Sequence, residues 1–177
     1  MSLTLRKQLD VQAELGDAQA CLSLFEEYQN ESGQQAAIDW LDEALDSNCA
    51  SAQYIAGVMD LNAGKVEEGI DYLELACAND NAQAMMVLGQ FYLGNILGLE
   101  SYQINLKRGL NYLMQAAYKG SAQAALILGK CYYLGQWVHQ DSFLSGLWLE
   151  KAESLGSGEA RILLDEVVYA HTNGILQ

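Results

Sequence analysis

Internal repetition constrains this chain more than any other feature. The run Gly120-Ser121-Ala122-Gln123-Ala124, followed by Leu128-Gly129 and Tyr132, has a counterpart 40 residues earlier in Asn81-Ala82-Gln83-Ala84, Leu88-Gly89 and Tyr92. Shorter copies stand at Ala18-Gln19-Ala20 and Ala52-Gln53. A second pattern recurs between them, an aromatic four residues before an alanine: Trp40 with Ala44, Tyr72 with Ala76, Tyr112 with Ala116 and Trp148 with Ala152, at spacings of 32, 40 and 36 residues. There is no proline, and apolar residues fall at three- and four-residue spacing, so both patterns read as helices. Two helices per period of this length make an α-solenoid, in which each pair buries its apolar face against its neighbours. The spacing predicts helices over 3–14, 17–29, 33–46, 50–62, 66–78, 81–93, 105–118, 121–133, 142–154 and 157–170.

The residue types have physical reasons. A glycine inside a helix costs about 0.5 to 1 kcal/mol relative to alanine, so Gly89 and Gly129 imply a close helix approach, with Ala44, Ala76, Ala116 and Ala152 as the expected small surface opposite. The aromatics are expected to fill the space between repeats. Gly120 and Gly156 fall just past helix ends, where a left-handed residue closes the last turn.

The fourth repeat, with Gly120, Ala122, Ala124, Leu128-Gly129, Tyr132, Gly135, Val138, Asp141, Trp148, Ala152 and Gly156, resembles the SEL-one-like repeat, a relative of the tetratricopeptide repeat. The third repeat matches well. The first two match in part and are equally tetratricopeptide-like: Phe25 and Met59 are aligned at the glycine position, and the linker after Ala63 is shorter. The resemblance implies an all-α fold, a right-handed α/α solenoid of about four helix-pair repeats with half-repeat caps at both ends. As one domain over 1–177, it divides into an amino-terminal cap (1–16), repeats at 17–49, 50–80, 81–120 and 121–156, and a carboxy-terminal cap and tail (157–177). Exported members of the family linked to β-lactam binding or hydrolysis carry a cysteine pair in each repeat, and this chain does not.

Composition narrows the function. With 51% hydrophobic residues the chain has ample material for a core, and it contains no apolar run long enough to span a bilayer. Residues 1–15 interleave charge with leucine and lack the apolar segment of an export signal, which points to the cytoplasm. Cys21, Cys49, Cys77 and Cys131 lack the close pairing of metal or redox motifs and are expected to be reduced, buried thiols. Asn30-Glu31-Ser32 fits a glycosylation pattern that has meaning only in a secreted eukaryotic protein. Net charge is −14, which repels nucleic acid and anionic membrane surfaces. That charge is lopsided: residues 1–80 hold 16 acids and 3 bases, residues 81–177 hold 7 and 6.

Chemistry is sparse. His139 lies in a linker and His171 near the end, neither within a ligand set, so no metal and no cofactor is expected. Asp39, Asp42, Glu43 and Asp46, like Glu67, Glu68, Asp71 and Glu74, recur at helical spacing and read as solvated helix faces rather than catalytic pairs. The 94–104 connection, the longest, has two glycines but no phosphate-loop lysine. No catalytic residue emerges.

What remains is a binding surface. In a helical-pair solenoid the first helices line the concave side. The pattern sets Gln19, Gln53, Gln83 and Gln123 at one equivalent position, where amides could hydrogen-bond an extended peptide, although glutamine is also simply a soluble helix former. Leu22, Glu26, Asp60, Met86, Gln90, Leu93, Leu126, Lys130 and Tyr133 are the neighbouring groove positions, acidic at first and apolar or mixed later. The sequence therefore reads as a bacterial-type cytoplasmic adaptor or scaffold binding another protein or peptide. An immunity- or inhibitor-type protein that sequesters a basic partner through the acidic half is the alternative, and a hydrolase the third. Oligomeric state is not legible.

Overall fold

A computed structural model describes residues 3–14, 17–30, 34–96 and 104–172. Outside them lie residues 97–103 of the long connection, Glu31 and Ser32 of the glycosylation pattern, and the tail beyond Thr172. Among the described residues there are ten helices and no strand: α1 (Leu3–Glu14), α2 (Ala18–Asn30), α3 (Gln34–Asp46), α4 (Ala50–Asn62), α5 (Val66–Ala78), α6 (Ala82–Tyr92), α7 (Leu106–Tyr118), α8 (Ala122–Leu134), α9 (Ser142–Ser154) and α10 (Gly158–Thr172). Every expected helix is present, with ends displaced by two residues at most.

The helices gather into two compact units, Met1–Asp80 and Asn81–Gln177. In the first, α2 packs on α3 and α4 on α5, with α1 laid against α2; in the second, α6 packs on α7, α8 on α9, and α10 on α9. The core of the first unit includes Ala13, Cys21, Leu24, Phe25, Ala37 and Leu41, with Trp40 partly buried against it. In the second, Leu88, Phe91, Leu113, Leu128 and Leu149 are fully buried.

Helix starts are set by side chains that accept the otherwise orphaned N–H groups of a first turn. Asn81 accepts from Ala84 N at 2.9 Å, Asn105 from Arg108 N at 3.0 Å, Ser121 from Ala124 N at 3.2 Å and Asp141 from Leu144 N at 2.9 Å. Asp17 does the same for α2, accepting from Gln19 N at 2.9 Å. Gly120 and Gly156 both take φ of +96°, as a left-handed stop requires.

The glycine seam is real, but its partner surface differs from the expected one. A Cβ on Gly89 would lie 2.8 Å from the Leu113 side chain and 3.1 Å from the Gly109 carbonyl oxygen; one on Gly129 would lie 2.7 Å from Leu149. Ala44, Ala76, Ala116 and Ala152 are completely buried, yet the atoms facing the glycines belong to the leucine one turn earlier and to Gly109. The second pair repeats this geometry at Gly57, whose Cβ would strike Leu73 at 2.7 Å and the Gly69 carbonyl at 2.9 Å. Gly57, and not Met59, therefore holds the glycine position of that repeat. In the fourth pair Ser145 replaces the second glycine and donates its buried hydroxyl to the Gly129 carbonyl at 2.9 Å.

The aromatics divide between two roles. Trp148 meets Tyr118 of the preceding pair edge-on at 5.6 Å, as expected of an inter-repeat contact. Tyr112 instead stacks on Tyr92 within its own pair at 6.0 Å, with the Arg108 guanidinium 4.3 Å above the Tyr92 ring.

Candidate functional site

The first helices of the four pairs are α2, α4, α6 and α8, and α10 continues the series. Their starts, Ala18, Ala50, Ala82, Ala122 and Gly158, give the register directly. The second residue of each helix is Gln19, Ser51, Gln83, Gln123 and Glu159. Gln53 is thus not a member of the row. It stands two residues later, equivalent to Met85, and like Met85 it is buried, with 4% of its surface exposed. Its amide is enclosed by Asn48, which accepts from Gln53 Nε2 at 2.5 Å, and by Asn79, which donates to Gln53 Oε1 at 2.9 Å. That network ties the end of α3 and the end of α5 to α4. The signal that would have found this was the helix cap: Cys49, Asn81 and Ser121 are N-caps at equivalent positions.

Other expected groove residues divide by burial. Leu22, Leu93 and Leu126 are between 1% and 4% exposed and belong to the core, so they leave the list of contact residues. Spacing marked them as apolar on a first helix; it did not say which side of that helix the neighbours cover. Gln19, Glu26, Gln83 and Gln123 are exposed, while Asp60, Met86, Gln90, Lys130 and Tyr133 are half-buried. Asp60 pairs with Lys65 at 3.4 Å.

In the second unit the first helices are linked side by side. The Ser121 hydroxyl donates to the Met86 sulfur at 3.8 Å, joining α8 to α6, and Lys130 meets Glu159 at 2.6 Å, joining α8 to α10. The resulting face presents Gln83, Gln123 and Glu159 at one register, with Met86, Gln90, Lys130 and Tyr133 beside them. Glu159 is a member that sequence spacing did not reveal, because glutamate there broke the glutamine pattern. In the first unit Gln19 and Ser51 hold the same register position on α2 and α4.

Reactive side chains are not concentrated at one place among the described residues. Among the described residues no group of three or more His, Cys, Asp and Glu side chains comes together as a metal site. His139 is exposed. The cysteines are free thiols. Burial, with the Glu74 carboxylate as a lesser cause, pushes Cys77 up to about 12, and burial pushes Cys131 up to about 11. Cys21 is also raised, first by burial and then by Glu43 and Asp17. Such thiols stay protonated near neutrality and are poor nucleophiles. Among the described residues no helix is long and apolar enough to cross a membrane.

No protein-family model matches the sequence, and no curated protein matches it. Solved structures do match. A protective antigen present in uropathogenic Escherichia coli strains, displaying an SLR fold, is similar over 96% of this chain and 36% of its own, with 22% identity and a TM-score of 0.77. A Sel1 repeat protein from Oxalobacter formigenes is similar over 88% of this chain and 65% of its own, with 24% identity and a TM-score of 0.75. This chain spans less than two thirds of the length of either. The class defined by these helical pairs is an all-α repeat protein of the solenoid kind. Within that class the chain has the Sel1-like repeat fold, as the residues from Gly120 to Gly156 indicated.

Proposed function

We propose that the chain is a non-catalytic protein–protein interaction module, an adaptor or scaffold, holding a protein or peptide segment on the face formed by its first helices. The observation that carries this reading is the exposure of Gln83 and Gln123 at one register, flanked by half-buried Met86, Gln90, Lys130 and Tyr133. In a helical-pair solenoid that flank is the concave one, and repeat folds use it as an extended binding surface. Glutamine amides both donate and accept, so they suit an extended backbone, while a thioether and a phenol adapt to side chains between. Burial keeps the Cys21, Cys77 and Cys131 thiols protonated near neutrality and poor as nucleophiles. A net charge of −14 favours protein partners over nucleic acid or anionic membrane. Affinity capture from the source cell tests the reading. The wild type should retain a partner that the triple variant Gln83→Ala, Met86→Ala, Tyr133→Ala loses while keeping its helical circular dichroism; an unchanged set of retained proteins would sink it.

A second reading rests on a different observation. Sixteen of the 23 acids lie in residues 1–80, and Asp39, Asp42, Glu43 and Asp46 all stand exposed on α3. An inhibitor or immunity-type protein that sequesters a basic partner, such as a toxin, would use such a field to speed encounter. Its association rate should fall steeply from low to high salt. A groove dominated by apolar anchors should respond little.

A further inference from the structure

Apart from Gly158, which opens α10 at its first position, the glycines inside the described helices are of two kinds. At Gly57, Gly69, Gly89, Gly109 and Gly129 an added Cβ would come within 3 Å of a neighbouring helix, so packing within the chain accounts for them. Gly146 is different: nothing lies within 4 Å of where its Cβ would stand. At the same place in α3, α5 and α7 the chain has Ile38, Ile70 and Leu110. Helix α9 has therefore given up both an apolar side chain and helix propensity without closing any contact of its own.

What Gly146 opens is a groove of about 240 Å³ between α9 and α10, lined by Phe143, Leu147 and Glu150 from one helix and by Leu164 and Val168 from the other. Phe143 is 72% exposed, Val168 54% and Leu147 47%. A trough between two helices, apolar along its length and cleared at its centre, has the shape that accepts a third helix, and the glycine allows that helix a close backbone approach as at the internal seams. Charge selects the sign of the occupant. Glu150 is the charged residue lining the trough, and α9 and α10 together carry five acids against two bases.

We propose that the α9–α10 groove docks an amphipathic, cationic α-helix of another protein. Its apolar residues, spaced i, i+3, i+4 and i+7, would lie on Phe143, Leu147 and Val168, its backbone would pass Gly146, and a lysine or arginine would meet Glu150. This surface is separate from the glutamine row: α10 contributes Glu159 to the row and Leu164 and Val168 to the groove.

The test uses two dye-labelled synthetic helices of about 16 residues, one with leucines at those spacings and lysines elsewhere, the other with glutamates for lysines, titrated by fluorescence anisotropy. The lysine peptide should bind wild type, and the glutamate peptide at least roughly tenfold more weakly. Gly146→Leu, which fills the groove and favours the helix, should weaken the lysine peptide roughly tenfold with no loss of Tm, and Glu150→Lys should narrow the gap between the two peptides. Equal binding by Gly146→Leu would overturn the proposal, since attraction to the acidic chain at large would then explain the signal. Failure of the lysine peptide to bind would overturn it too. So would a wild-type mass that rises with concentration and a Gly146→Leu mass that does not, because the occupant would then be a second copy.

Discussion

The two compact units are built from the same helix pair and hold it together differently. Unit Met1–Asp80 carries 16 acids and 3 bases, while unit Asn81–Gln177 carries 7 and 6. In the second unit Asn81, Asn105, Ser121 and Asp141 each close a helix start with a side-chain hydrogen bond. In the first, Asp17 does so for α2, but Cys49 and Lys65 stand at N-caps of α4 and α5 and make none. Left-handed stops divide only in part: Asn48, Gly64 and Asp80 serve in one unit, Gly94, Gly120, Gly135 and Gly156 in the other. The seam varies as well, from Phe25 with Ala37 at the glycine positions of the first pair to Gly129 with Ser145 in the fourth. The second unit is locally consistent at nearly every helix end; the first spends its surface on charge instead.

The largest effects should come from the leucines over the seams. Leu73→Ala and Leu149→Ala each remove a completely buried side chain, one per unit, and should each cost about 2–5 kcal/mol in urea denaturation. A much smaller cost for Leu73→Ala would mean that the acidic unit tolerates loose packing. Exchanging seam types comes next. Gly109→Ser should cost about 1–3 kcal/mol, because its Cβ would meet the Leu93 side chain at 2.8 Å and the Gly89 carbonyl at 2.9 Å. Ser145→Ala should cost about 1 kcal/mol for the lost hydrogen bond to Gly129.

Capping sharpens the contrast further. Asn81→Ala should destabilise by about 1 kcal/mol, whereas Cys49→Ser should stabilise by about 0.5–1 kcal/mol, since a hydroxyl there can accept the unclaimed N–H. If both changes left the thermal midpoint alone, capping would not distinguish the units. Screening gives a smaller effect: salt should raise Tm, and less so once acids on α3 are replaced by glutamine.

The smallest effect is alkaline. Cys77 is neutral when protonated, and its folded value of about 12 lies above the ordinary 9.0. The stabilising difference is present below pH 9 and lost as pH climbs from about 9 towards about 12, because the unfolded thiol ionises first. Wild type should therefore lose stability faster than Cys77→Ala between pH 8.5 and about 10.5, measured by urea midpoints. Parallel curves would show that burial of Cys77 does not shift its titration.

Much of this architecture was legible in the sequence. The Ala-Gln-Ala runs and the aromatic–alanine pairs placed all ten helices within two residues of their positions, because helix periodicity and end signals are local properties of the chain. The face of each helix that neighbours cover is not local. Gln53 looked like a fourth member of the glutamine row, but a slip of two residues turns a side chain by about 200° around a helix, from solvent to core. Leu22, Leu93 and Leu126 were apolar at suitable spacing and proved to be core for the same reason. The trough beside Gly146 also needed three dimensions, since a helical glycine in a sequence does not say whether another helix is already there.

By itself, then, the sequence determined the helices, their pairing into repeats, the repeat family they resemble and the uneven charge. Tertiary structure alone decided the register of the row, the atoms that close each glycine seam, and which apolar side chains remain outside. The division is physical: secondary structure answers to neighbours within a turn or two of chain, while burial answers to residues tens of positions away.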